Sequence, residues 1–309
     1  MKRCISFSLS LVLFALSVIP ISAASTNTTY YQEEMYQINF SDIDIQVSDA
    51  GELVFCAKED SSITRAVAAD NGVAQLLEAI EEFPSIESHM ATMLEETGCS
   101  LCAISITEVP LLWIDDHYER IPANISKTAD SSNPNGKGKF AMYTMIGVND
   151  STDPGKYVAW TCGSWSDSSI WGGEDYPAGG DDYVLQSTPN TFSRYDDALS
   201  VVYNNEPTSG EDGDEFWREN GDSSYVRYAL EDSPSIFRRC TSFVLSTTSY
   251  APLSDGEYRQ INSYYVHTWK QMSLSVSISA NSDKTVGLEL TPGISDKSWQ
   301  VYNYITFNF

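Results

Sequence analysis

From residue 139 to the end of the chain, short alternating runs follow one another at turn-rich intervals: FAMYTMIGV, YVAWTC, DYVLQS, ALSVVY, YVRYAL, SFVLST, INSYYVHTW, MSLSVSIS, VGLEL and WQVYNYITFNF. A period of two sends alternate side chains to opposite faces of a pleated strand. Runs this short, broken by Gly, Pro, Asn, Asp and Ser, leave no room for helices. About ten such strands over roughly 170 residues predict an antiparallel β-sandwich occupying 139–309. Six of the seven tryptophans fall in this region.

Upstream the pattern differs, and residues 25–121 read as a small α+β region. QINFSDIDIQV and GELVFCAK have strand alternation and are expected to form a hairpin pair. Val73, Leu76, Leu77 and Ile80 recur at helical spacing until Pro84, and Ile86, Met90, Met93 and Leu94 then restart the pattern. Gly98 stands where a left-handed helix cap belongs. AISITEV, 103–109, returns to strand alternation. Residues 122–138, PANISKTADSSNPNGKG, have almost nothing to bury and read as a linker or long loop. The expected fold class is therefore an α+β N-terminal region followed by an all-β sandwich domain.

The first 24 residues are set aside. Lys2 and Arg3 precede an apolar stretch, Pro20 breaks it, and Ser22, Ala23 and Ala24 are small residues suited to cleavage. This is the layout of a secretory signal peptide, so a secreted, extracellular protein is expected. Its loss removes two bases and no acid, moving the formal charge from −25 to −27. A surface of that sign repels phosphate backbones and argues against a nucleic-acid partner. Of six cysteines Cys4 leaves with the leader; Cys56, Cys99, Cys102, Cys162 and Cys240 remain. Outside the cell an odd number implies two disulfides and a leftover thiol, or an intermolecular bond. Cys162 and Cys240 lie on predicted strands and are expected to bridge facing sheets, with Cys99 or Cys102 joined to Cys56. The C-x-x-C spacing of Cys99 and Cys102 follows a predicted helix C-terminus, where the helix dipole disfavours a thiolate, which argues against redox chemistry.

The stretch WGGEDYPAGGDDYV, 171–184, is the densest candidate site. Asp175, Asp181 and Asp182 on a glycine-rich loop have the chemistry to hold calcium, although the spacing is not that of an EF-hand. An exposed acidic turn is the plainer alternative. Trp165, Trp171, Tyr176 and Trp217 lie in or beside the acidic loops, and aromatic rings next to carboxylates suit sugar binding. Residues 272–290 are a third feature. Met272, Leu274, Val276 and Ile278 face one way and Ser273, Ser275, Ser277 and Ser279 the other, with Val286, Leu288 and Leu290 repeating the pattern. This is a half-buried hairpin or, on a sharper reading, an element able to enter lipid; its strands are shorter than the roughly nine to eleven residues a bilayer requires.

Catalytic motifs are sparse. Neither G-x-S-x-G nor H-E-x-x-H occurs, and the histidines are His89, His117 and His267. The expectation is a non-enzymatic secreted protein that binds a cell-surface or extracellular ligand, a glycan with calcium assistance being the specific form. Two alternatives stand beside it: a membrane-active toxin or bacteriocin-like protein using 272–290, and an extracellular hydrolase with dispersed carboxylates or His117.

Overall fold

The computed structural model describes residues 35–40, 43–49, 51–57, 72–114, 117–120, 137–149, 155–165, 180–188, 193–203, 206–210, 216–221, 225–232, 240–250, 259–268, 274–280, 286–292 and 298–307. The leader expected over 1–24 lies outside them. Strands β1 (Met35–Asn39), β2 (Ile43–Val47) and β3 (Leu53–Ala57) precede helices α1 (Val73–Glu82) and α2 (Ser85–Thr97). Next come β4 (Ser100–Ile114), β5 (His117–Arg120), β6 (Lys137–Asn149) and β7 (Lys156–Trp165). β8 (Gly180–Ser187), β9 (Ser193–Tyr203), β10 (Glu206–Gly210), β11 (Phe216–Gly221), β12 (Tyr225–Asp232) and β13 (Cys240–Tyr250) follow. The chain continues through β14 (Arg259–Thr268), β15 (Leu274–Ala280), β16 (Val286–Pro292) and β17 (Ser298–Phe307).

An eight-stranded sheet, ordered β1-β4-β6-β7-β13-β9-β10 with β5 added to β4, faces a five-stranded sheet ordered β11-β12-β8-β14-β17. All pairings are antiparallel, and β2–β3 and β15–β16 form separate two-stranded sheets. The fold class expected from the alternation is the one observed, with β10 and β11 as strands that the apolar pattern did not mark.

Two details differ from expectation, each for a physical reason. QINFSDIDIQV is two strands: β1 pairs with β4, and only β2 forms the hairpin with β3. Ile38 and Phe40 are buried, and so are Ile43 and Ile45, so the apolar parity slips by one between them. A single straight strand cannot keep both pairs on one face. Phe40 instead donates its N–H to the Cys102 carbonyl at 2.8 Å. The second detail is the boundary near 122–138, which does not separate two sheets: β4 and β6 pair from Ser100↔Val148 to Leu112↔Lys137. Strands from both halves of the sequence build the same sheet.

Both faces of β6 are covered. Phe140, Met142, Ile146 and Val148 point between the sheets, while Ala141, Tyr143 and Met145 point outward under the helices. FAMYTMIGV is therefore nearly continuously apolar. The helix layer seals that outer face with Val73, Leu76, Phe83, Ile86, Met90 and Met93. Gly98 does adopt the left-handed cap, φ 63°. Lys139 reaches Glu82 at 2.6 Å and Glu108 at 3.3 Å, tying the end of α1 to the sheet.

Between the sheets, the core is two apolar clusters separated by a polar belt. The first cluster holds Phe140, Trp165, Phe243, Tyr265 and Trp299; the second holds Ile146, Tyr157, Ile261 and Ile305. At the level between them strands β4, β6, β7, β8, β13, β14 and β17 each contribute a hydroxyl or amide. Thr144 donates to Ser263 at 2.8 Å, Gln186 donates to Thr161 at 2.8 Å, and Thr247 donates to the Gln186 carbonyl oxygen. Asn303 donates to Thr107 at 2.9 Å. Such groups satisfy one another in one strand register only, so the belt fixes how the sheets face. Gly163 is dictated by the first cluster, since a Cβ there would lie 2.3 Å from the Phe243 ring.

Candidate binding surface

The structure scatters the residues singled out in the sequence. Trp165 points inward, is 7% exposed and packs on Phe140 with ring centroids 4.9 Å apart. It is a core residue and not a surface platform. The reason lies in β7, where both alternating sets are apolar and both faces are covered. Trp217 lies on the outer face of the five-stranded sheet, half-buried against Tyr183, Leu185 and Tyr225. Trp171, Tyr176 and Asp175 lie outside the described residues.

Asp181 and Asp182, expected to share a cation, are adjacent on a strand and so point to opposite faces. Asp182 is the inward one, 2% exposed. Its carboxylate accepts from the Tyr265 hydroxyl and from the Thr268 N–H at 2.8 Å, and lies 3.0 Å from His267 Nδ1. Those partners occupy the oxygens that calcium would take. Among the described residues no three His, Cys, Asp or Glu side chains converge as a metal site would require.

Among the described residues Cys56 and Cys162 are not bridged, so neither the expected Cys162–Cys240 bond nor a bond from Cys56 to Cys99 or Cys102 is formed. Cys162 and Cys240 sit on neighbouring strands of one sheet, where Cys162 is opposite Val244. Cys162 belongs to the helix-side cluster and Cys240 to the core between the sheets, so their side chains leave by opposite faces. Burial pushes the Cys162 thiol well above its ordinary pKa. Cys56 is exposed on β3 while Cys99 is buried beside α2.

A different set of residues meets solvent. β17 alternates strictly: Trp299, Val301, Asn303, Ile305 and Phe307 are buried, and Gln300, Tyr302, Tyr304 and Thr306 lie outward. Tyr302 is 38% exposed. It pairs across the strands with Tyr264 of β14, ring centroids 4.8 Å apart, and with Tyr304 at 5.6 Å. Three phenol rings thus form a strip on the outer face of the five-stranded sheet. The Tyr302 hydroxyl donates to Asn262 Oδ1 at 2.7 Å; Asn262 is 2% exposed and donates to Ser187 Oγ at 3.1 Å. Gln260 donates to the same Asn262 oxygen. Burial raises the Tyr302 and Tyr304 hydroxyl pKa values, so both rings stay neutral at physiological pH.

Sequence reasoning passed over this strip because it looked for aromatics in acidic loops. The signal was nevertheless present. In WQVYNYITF the two tyrosines share a parity opposite to Val301 and Ile305, which marks them as outward once the apolar set is taken as the core. A second exposed pair, Tyr195 and Tyr250, has ring centroids 5.5 Å apart. A hollow of about 360 Å³ lies between β2 and the end of α2, lined by Ile45, Val47, Leu94 and Cys99.

No protein-family model matches the chain, and no curated protein sequence does. Among solved structures it is similar to the collagen binding subdomain of the Enterococcus faecalis surface protein ACE, with 7% identity and a TM-score of 0.27 over 46% of this chain and 88% of that one. It is also similar to the collagen binding domain of Erysipelothrix rhusiopathiae surface protein RspB, with 10% identity and a TM-score of 0.31 over 65% and 66%. For Clostridium perfringens delta-toxin the identity is 8% and the TM-score 0.26 over 66% and 94%. Among the described residues no helix is long and apolar enough to cross a membrane.

Proposed function

We propose that this is an exported protein that binds an extracellular or cell-surface ligand on the outer face of its five-stranded sheet and performs no chemistry of its own. The observation that carries the reading is the tyrosine strip, an ordered aromatic surface at which Tyr302 is 38% exposed while its hydroxyl is held by a buried asparagine. Rings held in place by buried partners lose little freedom when a ligand lands on them, which favours binding. The titratable groups support the same reading. His267 and Asp182 are 1% and 2% exposed, beneath Trp165 and Trp299, out of reach of a large substrate.

The test is retention of the chain from residue 25 onward on immobilised extracellular matrix proteins, polysaccharides and whole cells, with calcium and with chelator. Specific, saturable retention that Tyr302→Ala lowers at least tenfold is expected. Calcium assistance through the acidic loops would appear as weaker retention in chelator. Absence of retention on every surface sinks the proposal.

One observation favours a second reading, the membrane-active protein. The β15–β16 register pairs Val276 with Leu290 and Ile278 with Leu288, and places Ser277 opposite Glu289 at the alternate position. Apolar residues of the two strands thus stand at paired register positions, alternating with polar ones. Release of a trapped dye from phosphatidylcholine vesicles measures it directly; intact vesicles at saturating protein remove this reading and leave the first in place.

A further inference from the structure

The chemistry around the tyrosine strip narrows what it can hold. The chain carries 43 acidic residues against 18 basic ones. Yet every outward position from Gln260 to Val266 on β14 and from Ser298 to Thr306 on β17 is uncharged. In a chain this acidic, an uncharged patch across two neighbouring strands stands apart from its surroundings. It is not an oily patch either. Its outward side chains are phenols, amides and hydroxyls, with Val266, itself fully buried, as the lone aliphatic.

We infer that the Tyr264–Tyr302–Tyr304 strip is a subsite for an uncharged glycan chain, with the rings stacking on sugar faces and the Gln260 and Gln300 amides facing sugar hydroxyls. The inference rests on the surface-binding reading above and supplies its ligand class. Three physical points carry it. A pyranose ring has an apolar face of C–H groups and a rim of hydroxyls, and a phenol ring beside an amide matches both. A charged ligand would find no counter-charge on these outward positions, and a polyanion would meet the repulsion of the whole acidic molecule. A second copy of this chain is disfavoured for the same reason, since each copy carries a formal charge of −25.

The strip is also preorganised. Tyr302 cannot swing freely, because its hydroxyl is held by Asn262, and Asn262 is itself fixed by Ser187 beneath the surface. Gln260 closes the network, reaching both Asn262 and, at 3.4 Å, the Tyr302 hydroxyl. Asn262 is thus a positioning residue: it sets the pitch of a ring that is exposed without being exposed itself.

The experiment uses the full mature chain against neutral hexose oligomers (cellohexaose, mannohexaose, laminarihexaose) beside a sulfated oligosaccharide and a proline-rich collagen-like peptide, with affinities read by calorimetry. Binding to at least one neutral oligomer is expected, weakened tenfold or more by Tyr302→Ala and by Tyr264→Ala. Tyr302→Phe keeps the stacking face and should stay within about threefold of the parent. Asn262→Ala should weaken binding and also blunt the tyrosine fluorescence change on titration, a readout that loss of fold alone would not produce when the melting temperature is held. Tyr195→Ala, on the far side of the sandwich, should change nothing. Glycan binding that survives both tyrosine substitutions overturns the strip while leaving a surface-binding protein. Binding of the collagen-like peptide through Tyr302, with none of any neutral oligomer, overturns the ligand class alone. No binding to any of these probes overturns the inference, and the retention assay on whole cells and matrix proteins then decides the broader reading separately.

Discussion

Tyr143 and Tyr302 both sit at outward positions of a strand, on opposite sides of one sandwich, and they differ in what lies above them. Tyr143 is fully buried beneath α2, its hydroxyl in a 2.6 Å hydrogen bond with His89 Nδ1. Tyr302 has its hydroxyl held from the side by Asn262 and its ring open to solvent. The neighbours on each strand explain the contrast. Tyr143 shares its face with Ala141 and Met145, an apolar surface that must be covered. Tyr302 shares its face with Gln300, Tyr304 and Thr306, which are content in water. Phenols, amides and hydroxyls need no such cover, and at Tyr302 the ring meets solvent, where a ligand can reach it.

The largest effect expected from breaking this contrast is on the sealed side. Tyr143→Ala removes a fully buried ring from the interface of sheet and helix layer and should cost about 3–5 kcal/mol, by the range for large-to-small core substitutions. Urea unfolding measures it. A loss below about 1 kcal/mol would mean that the helices are loosely attached and that the two faces differ less than their exposures say.

Next comes the belt that both faces share. Gln186→Leu keeps the volume but leaves the Thr161 and Thr247 hydroxyls without their amide, and is expected to cost about 1–3 kcal/mol. Its counterpart is the triple change of Gln186→Leu with Thr161→Val and Thr247→Val. This replaces the polar groups together and should recover much of the loss. Failure to recover would show that the belt does more than satisfy itself.

Acid sharpens the comparison further, because the sealed face carries a histidine with a displaced pKa. Burial lowers His89 from 6.5 to about 4. The unfolded chain therefore binds a proton that the folded chain refuses between those values. Stability from this group is complete above about pH 6.5 and is lost as the pH falls toward 4. A shift of this size corresponds to about 3 kcal/mol, and with part of the imidazole still at the surface about 1–3 kcal/mol is expected. His89→Gln should flatten that limb of the stability profile; an unchanged slope assigns the acid sensitivity to other groups.

Much of this architecture was legible beforehand, and the exceptions share a cause. The strict alternation of WQVYNYITF, the restart of the helical pattern after Pro84 and the cap at Gly98 are local signals, and each is seen in the fold. Trp165, Asp182 and the cysteines are where local reading fell short. Asp182 is surrounded by groups more than eighty residues away in sequence, Tyr265 and His267, so nothing near it announces that it is buried. The parity of Cys240 is shifted by a bulge between Cys240 and Ser242, and strand pairing, which no single run reveals, decides which face each thiol takes. The strip itself is intermediate: the outward parity of Tyr302 and Tyr304 could be read from β17 alone, whereas the partnership with Tyr264 requires the β14–β17 register.

The smallest effect expected is on the open side, and its smallness is the point. Tyr302→Ala takes away a ring that is already 38% exposed, together with one hydrogen bond to Asn262. The Asn262 oxygen keeps Gln260 as a donor, so no buried acceptor is orphaned. The loss should therefore stay near or below about 1 kcal/mol, as for surface substitutions that leave no buried group unpaired. Set beside Tyr143→Ala, this pair of tyrosines measures the two outer faces against each other with one chemistry. If Tyr302→Ala proves as destabilising as Tyr143→Ala, then Tyr302 is part of the structural core and the open face is not free to bind. If it is mild, the ring is held in position by its neighbours without supporting them, which is the condition a recognition surface has to meet.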